Sequence, residues 1–149
     1  KVSKEIHHAT TLEEIYKECD YITIHVPALD STKGMINAQA IELMKDGVVI
    51  VNTARSELTN IQDLIEGIEN QKIGALALDV FDNENEIYHH YLSTDIIKNR
   101  DMAYLRQFPN VILTQHMAFF TDSAVNEMII NSLNNLLDFY NTGTCRNEL

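Results

Sequence analysis

The stretch Met44-Lys-Asp-Gly-Val-Val-Ile-Val-Asn-Thr-Ala-Arg-Ser-Glu-Leu58 contains the strongest strand signal of the 149-residue sequence. Its centre, Val48–Asn52, is a β-branched run, which is typical of a strand buried on both faces of a parallel sheet. A helix is predicted before it, over Ala38–Lys45, and Asp46-Gly47 would end that helix. The stretch therefore predicts a helix, a turn, a central strand and then a loop that carries Arg55.

Strand and helix signals alternate on both sides of this stretch. Further strands are predicted at Tyr21–Val26, Ala75–Val80 and Val111–Thr114. Helices are predicted to start near Thr11, Asn60 and Asp122, and the last of them carries an apolar stripe. Residues 83–107 are polar and irregular, with helical character near 101–106. This alternation predicts an α/β fold with βαβ units, a parallel sheet and right-handed crossovers.

Composition excludes several classes of function. A formal net charge of -11 opposes binding to phosphate backbones, so no nucleic-acid partner is expected. Without an apolar run of roughly 18 residues or a signal segment, no membrane association is expected, and we predict a cytoplasmic protein. The two cysteines, Cys19 and Cys145, form no disulfide framework. The pairs His7-His8 and His89-His90 lack metal-ligand spacing, so no metal is expected.

Ligands of open α/β sheets bind outside the carboxyl ends of the strands. Groups that could carry charge follow three predicted strands: Arg55, the segment from Asp79 to Glu84, and His116. The fork of Arg55 suits a carboxylate, and His116 could donate a proton to a carbonyl oxygen. Glu84 could orient that imidazole and stabilise its protonated form. This combination matches reduction of a 2-keto acid by hydride.

Each of these residues also has a simpler interpretation. A single arginine after a strand is more often part of a surface or structural ion pair. A histidine at a strand end is often a satisfied structural group, and Glu84 stands in an acidic run that would favour a solvated loop. Position alone therefore favours the simpler interpretation over a catalytic site.

Sequence motifs favour the interpretation of Arg55, Glu84 and His116 as a catalytic site. The stretch 44–58 resembles the "MKxGxxxVNxARGxLV" signature of D-isomer-specific 2-hydroxyacid dehydrogenases. Residues 74–84 (GALALDVFDNE) are similar to the family's "GxxLDVxxxE", and residues 109–121 (PNVILTQHMAFFT) are similar to its "PNVxxTPHxA". The order and spacing agree over essentially the whole chain. The connection after Glu84 resembles that of the D-lactate and D-2-hydroxyisocaproate dehydrogenase branch.

The resemblance implies a role for each matching residue. Arg55 would bind the substrate carboxylate, His116 would be the acid/base group, and Glu84 would pair with His116. Phe119 would lie near the substrate side chain. The residues that would line the NAD cofactor are Val26, Pro27, Thr32, Thr53, Ala54 and Asp79, of which Asp79 would lie near the nicotinamide carboxamide.

Three features depart from the family pattern. Ser56 stands where glycine is usual, so we expect no positive φ there. Gln115 replaces the proline before His116, which could loosen the aim of the histidine. The sequence has no GxGxxG, the motif that binds the dinucleotide phosphates.

We therefore expect the C-terminal half of a Rossmann-type parallel-sheet NAD-binding domain at residues 1–125. Residues 126–149 would form a C-terminal helix and tail reaching toward an absent substrate domain. The main hypothesis is NAD-dependent reduction of a 2-keto acid to a D-2-hydroxy acid, by an enzyme that is a homodimer at full length. This chain would be a fragment with little activity alone. The alternative is a non-catalytic, dinucleotide-sensing protein on the same scaffold, similar to corepressors.

Overall fold

The computed structural model describes residues 8–84 and 98–147. The chain divides into two compact units, Lys1–His116 and Met117–Leu149. The division expected from the sequence, 1–125 and 126–149, stays a prediction. His7, His89 and His90 lie outside the described residues.

The first unit is built on a four-stranded sheet. All three strand pairings are parallel, and the strands lie in their sequence order. They are β1 (Tyr21–Ile24), β2 (Val48–Asn52), β3 (Ile73–Leu78) and β4 (Val111–Leu113). The predicted α/β fold with four parallel strands is confirmed.

One helix precedes the first strand, and the others lie between successive strands. They are α1 (Leu12–Glu18), α2 (Ala38–Leu43), α3 (Ile61–Glu69) and α4 (Arg100–Leu105), with a short 3₁₀ turn at Ser56–Leu58. Each helix packs against the next, and α3 also packs on β3. Each begins at a polar cap, since the side chains of Thr11, Asn37, Asn60 and Asn99 accept backbone N–H groups of the first turn.

The strand boundaries and burial correct several expectations. β2 alternates between buried and half-buried residues, so one face of the strand is fully buried and the expectation of burial on both faces was wrong. β1 ends at Ile24 rather than Val26, and β3 runs over Ile73–Leu78 rather than Ala75–Val80. β4 ends at Leu113, one residue before the predicted end.

The helix before β2 is also shorter than predicted. It ends at Leu43 because Met44 is extended, with ψ 163°, and its backbone N–H returns to the Ile41 carbonyl. Gly47, at φ 79°, then turns the chain into β2. The turn at 46–47 was predicted correctly, but the helix stops before it.

Gly74 is required by the packing of β3 against this turn. It lies opposite the irregularity in the β2–β3 register, where Val48 pairs with Ile73 and Val49 with Ala75. A Cβ at position 74 would lie 2.5 Å from the Gly47 carbonyl oxygen. That neighbour is backbone, so it cannot rotate away.

We expect Gly74→Ala to lower the free energy of unfolding by about 3 kcal/mol, because the added methyl forces the turn and strand apart. Urea denaturation measures this. Gly34→Ala is the matched control, since position 34 has open space and only its φ of 62° is unfavourable; it should cost about 1 kcal/mol. Equal losses would contradict the steric explanation.

The second unit contains one helix in its described residues, α5 (Asp122–Thr142). Thr121 caps its start, and Gly143, in the left-handed region at φ 75°, ends it near the predicted position. The predicted apolar stripe is present, but none of its side chains is buried. Among the described residues, no helix is long and apolar enough to cross a membrane.

Candidate active site

Parallel pairing puts the loops that follow the four strands of the first unit at one edge of the sheet. Arg55 follows β2, Asp79 and Glu84 follow β3, and His116 follows β4. The residues predicted from the sequence therefore come from three adjacent strands.

His116 and Glu84 are in direct contact. The Glu84 Oε1 atom lies 2.6 Å from His116 Nδ1, and the other carboxylate oxygen accepts the Phe81 backbone N–H at 3.2 Å. Both side chains are partly buried, at 35% and 24% exposure. Because a carboxylate only accepts, Nδ1 carries a proton in this contact and Nε2 is the nitrogen left to face a substrate.

The backbone of His116 is held as well. Its φ is 53°, a region that few non-glycine residues adopt. Its N–H donates to the Asp79 carbonyl at 2.7 Å. Gln115 stands where the family has proline, and His116 is held by two hydrogen bonds, one from its backbone N–H and one at its imidazole Nδ1.

Asp79 is almost fully buried, at 4% exposure. Thr114, one residue beyond β4, donates its hydroxyl to Asp79 Oδ1. The backbone N–H of Asp79 donates to the Asn52 carbonyl at 2.9 Å. Asp79 therefore connects the ends of β2, β3 and β4.

Arg55 is exposed, in extended backbone at φ -147° and ψ 143°. Its guanidinium donates to the Ala54 carbonyl at 2.7 Å. Among residues 8–84 and 98–147 it has no ion-pair partner. A forked cation in this state is available to an external carboxylate. Ser56 opens the 3₁₀ turn without positive φ, as predicted.

The loop after β1 contains Val26, Pro27 and Thr32. The Thr32 hydroxyl donates to the Pro27 carbonyl at 2.7 Å and accepts the Leu29 N–H at 2.8 Å. Thr32 thus closes the loop on itself. Just beyond the loop, the Gly34 N–H donates to the Glu57 carbonyl at 2.8 Å, which joins this segment to the one after Arg55.

Two positioning residues were not singled out from the sequence: Asn52 and Thr114. Asn52 is fully buried, and its side chain bonds the backbone of Ala54 and Arg55. The sequence did contain a signal for Asn52. Every second residue of a strand lies on the same face, so Asn52 shares a face with Val48 and Ile50, which are both apolar. Thr114 carried no comparable signal.

Phe119 lies in the second unit, half-exposed and in edge-to-face contact with Phe120. Its role beside a substrate stays a prediction. Among the described residues no cluster of three potential metal ligands occurs.

Comparisons with known proteins identify the family of the chain. Residues 1–118 match the family "D-isomer specific 2-hydroxyacid dehydrogenase, NAD binding domain". The chain belongs to this family. The expected resemblance and the Rossmann-type NAD-binding fold are therefore confirmed, and NAD is the cofactor of this domain.

Individual relatives are dehydrogenases and reductases. The chain is 42% identical over 146 residues to an aromatic 2-oxoacid reductase of Clostridium sporogenes, covering 98% of this chain and 44% of that protein. It is 38% identical over 143 residues to a D-lactate dehydrogenase of Lactiplantibacillus plantarum, covering 96% and 43%. A D-lactate dehydrogenase structure from Sporolactobacillus sp. superposes with TM-score 0.89 at 34% identity, covering 94% and 42%.

The chain thus spans less than half the length of these relatives. Their names give no support to a non-catalytic, dinucleotide-sensing protein.

The groups at this edge that would hold the nicotinamide end of NAD are Asp79 and Val26. Asp79 has a nearly buried carboxylate just after β3, and Val26 has an exposed apolar side chain in the loop after β1. The pyrophosphate end has no equivalent, since the sequence has no glycine-rich loop.

We expect neutral His116 to carry its proton on Nδ1, because Glu84 accepts there. Two-bond ¹⁵N–¹H correlation spectra of the labelled protein distinguish the tautomers. Glu84→Ala should shift His116 toward the Nε2-protonated form. His25, whose Nε2 contacts the Thr23 hydroxyl at 2.8 Å, is the internal control and should not change. A wild-type His116 protonated on Nε2 would contradict the geometry.

Proposed function

We propose that this chain forms the catalytic part of an NAD-dependent D-2-hydroxyacid dehydrogenase that reduces a 2-keto acid to a D-2-hydroxy acid. The observation that carries the proposal is the His116–Glu84 contact at 2.6 Å. It leaves Nε2 for the substrate at the sheet edge that also bears Arg55. The family membership supports the same reaction class.

The residues divide the work as follows. Arg55 binds the substrate carboxylate through its fork and so orients the neighbouring carbonyl. When bound, NADH supplies the hydride that adds to the carbonyl carbon. His116 donates its Nε2 proton to the carbonyl oxygen and becomes neutral, while Glu84 keeps the Nδ1 proton in place. Asp79 would lie near the carboxamide of the bound nicotinamide.

The whole enzyme is longer in this proposal. We propose that this chain works together with a segment that supplies the phosphate-binding loop and a substrate domain, and that the complete protein is a homodimer. The class of substrate, a 2-keto acid, is inferred from the names of the relatives. Pyruvate and phenylpyruvate are the first candidates.

His116→Ala should lower kcat about 10²- to 10⁴-fold in the complete protein, because the proton donor is lost. NADH affinity, measured by fluorescence titration, should change by less than about twofold relative to wild type, since the substitution removes no hydrogen bond to the cofactor. His8→Ala, on an exposed histidine before α1, is the control and should leave both values unchanged. Equal losses in kcat and NADH affinity would remove His116 from the proton-transfer role.

Arg55→Lys should raise KM for the 2-keto acid about 10- to 100-fold with a smaller change in kcat, since an ammonium cannot form the paired bonds of a guanidinium. Steady-state kinetics of NADH oxidation measure both constants. Arg106→Lys, at the exposed end of α4, is the matched control. An unchanged KM in Arg55→Lys would refute the carboxylate clamp.

A further inference from the structure

Asn52 is unusual in the core of the first unit. Its side chain is 0% exposed at the end of β2, and with Asp79 it makes up the buried polar residues of the described part of the chain. Burying a carboxamide is unfavourable unless its donor and acceptor are bonded. Both are bonded here, and both bonds go to the same short segment.

That segment is the backbone around Arg55. Asn52 Oδ1 accepts the Ala54 N–H at 3.0 Å, and Asn52 Nδ2 donates to the Arg55 carbonyl at 2.9 Å. The Ala54 carbonyl between these two groups accepts the Arg55 guanidinium. The buried side chain of Asn52 therefore fixes the backbone segment that directs the exposed Arg55 guanidinium.

The main chain of Asn52 connects this segment to the rest of the site. Its carbonyl accepts the Asp79 N–H at 2.9 Å, and the Asp79 carbonyl accepts the His116 N–H at 2.7 Å. A continuous series of hydrogen bonds thus runs from the Arg55 backbone to the His116 backbone, and Asn52 contributes two of its links.

We propose that Asn52 is a positioning residue for substrate binding: its carboxamide fixes the direction of Arg55 relative to His116. The inference rests on the proposed 2-keto acid reduction. In this role Asn52 touches neither substrate nor cofactor. Its loss lowers affinity for the substrate carboxylate more than affinity for NADH, because Arg55 itself binds the carboxylate.

Asn37 provides a matched control. It makes the same two kinds of backbone bond, since Nδ2 donates to the Gly34 carbonyl at 2.8 Å and Oδ1 accepts the Ala40 N–H at 3.0 Å. It caps α2 and holds no part of the Arg55 loop. Asn37→Ser and Asn52→Ser therefore both lose carboxamide bonds, and they differ in which backbone is released.

The experiment is a double-mutant cycle in the complete protein, with wild type, Asn52→Ser, Arg55→Ala and the double variant. The substrate is the better of pyruvate and phenylpyruvate. Asn52→Ser should raise KM about tenfold in the wild-type background, with smaller changes in kcat and NADH affinity. In the Arg55→Ala background it should add almost nothing, because two residues acting through one contact are not additive.

The methyl ester of the same acid gives an independent readout. It has no carboxylate for Arg55, so wild type and Asn52→Ser should reduce it with similar KM. Asn37→Ser should leave KM for the acid unchanged even where urea denaturation shows it to be equally destabilised. Asn52→Thr, whose hydroxyl can still accept the Ala54 N–H and whose side chain suits a strand, replaces Asn52→Ser should that variant not fold.

Additive effects of Asn52→Ser and Arg55→Ala, or equal losses on acid and ester, would overturn the positioning role while leaving the reaction intact. A wild-type protein that reduces neither acid would overturn the proposed function itself, and the inference with it.

Discussion

Parallel pairing of β2 between β1 and β3 is the constraint on which the site depends. With the β3–β4 pairing, it brings the carboxyl ends of successive strands to one edge of the sheet, although Arg55 and His116 are 61 positions apart in the chain. A buried, mostly apolar face holds that pairing in place. Gly74 lets β3 approach the turn before β2 closely enough for the register to form. The sheet thus positions the loops that carry the site residues.

Polar groups at the strand ends then convert this common edge into a defined geometry. Asn52 and Asp79 are buried, so their hydrogen bonds are shielded from water and are costly to break. They fix backbone, whereas Glu84 fixes the imidazole of His116 directly. Among Arg55, Asp79, Glu84 and His116, only Arg55 is exposed, with its backbone held and its guanidinium available. Rigid supports behind an accessible cation and an oriented imidazole are what a small anionic substrate requires.

The sequence was sufficient to predict the fold class, because strand and helix signals alternate along it. It was also sufficient to predict the contact between Glu84 and His116, because the family motifs contain both residues. It was less informative about Asn52, whose importance depends on hydrogen bonds that only the folded loop reveals. Burial on both faces of β2 was wrongly expected, since a β-branched run reports hydrophobicity and not what covers each face. The end of α2 was misplaced because Met44 is apolar and helix-compatible, yet its backbone is extended and the chain turns at Gly47.

The most direct test of this account is the oxidation of NADH by the complete protein, followed by absorbance with pyruvate, 2-ketoisocaproate, phenylpyruvate and 2-oxoglutarate, and with the chirality of each product determined. The account predicts turnover of at least one acid and a product of D configuration. An L-configured product, or NADH binding without turnover of any of the four acids, would contradict it.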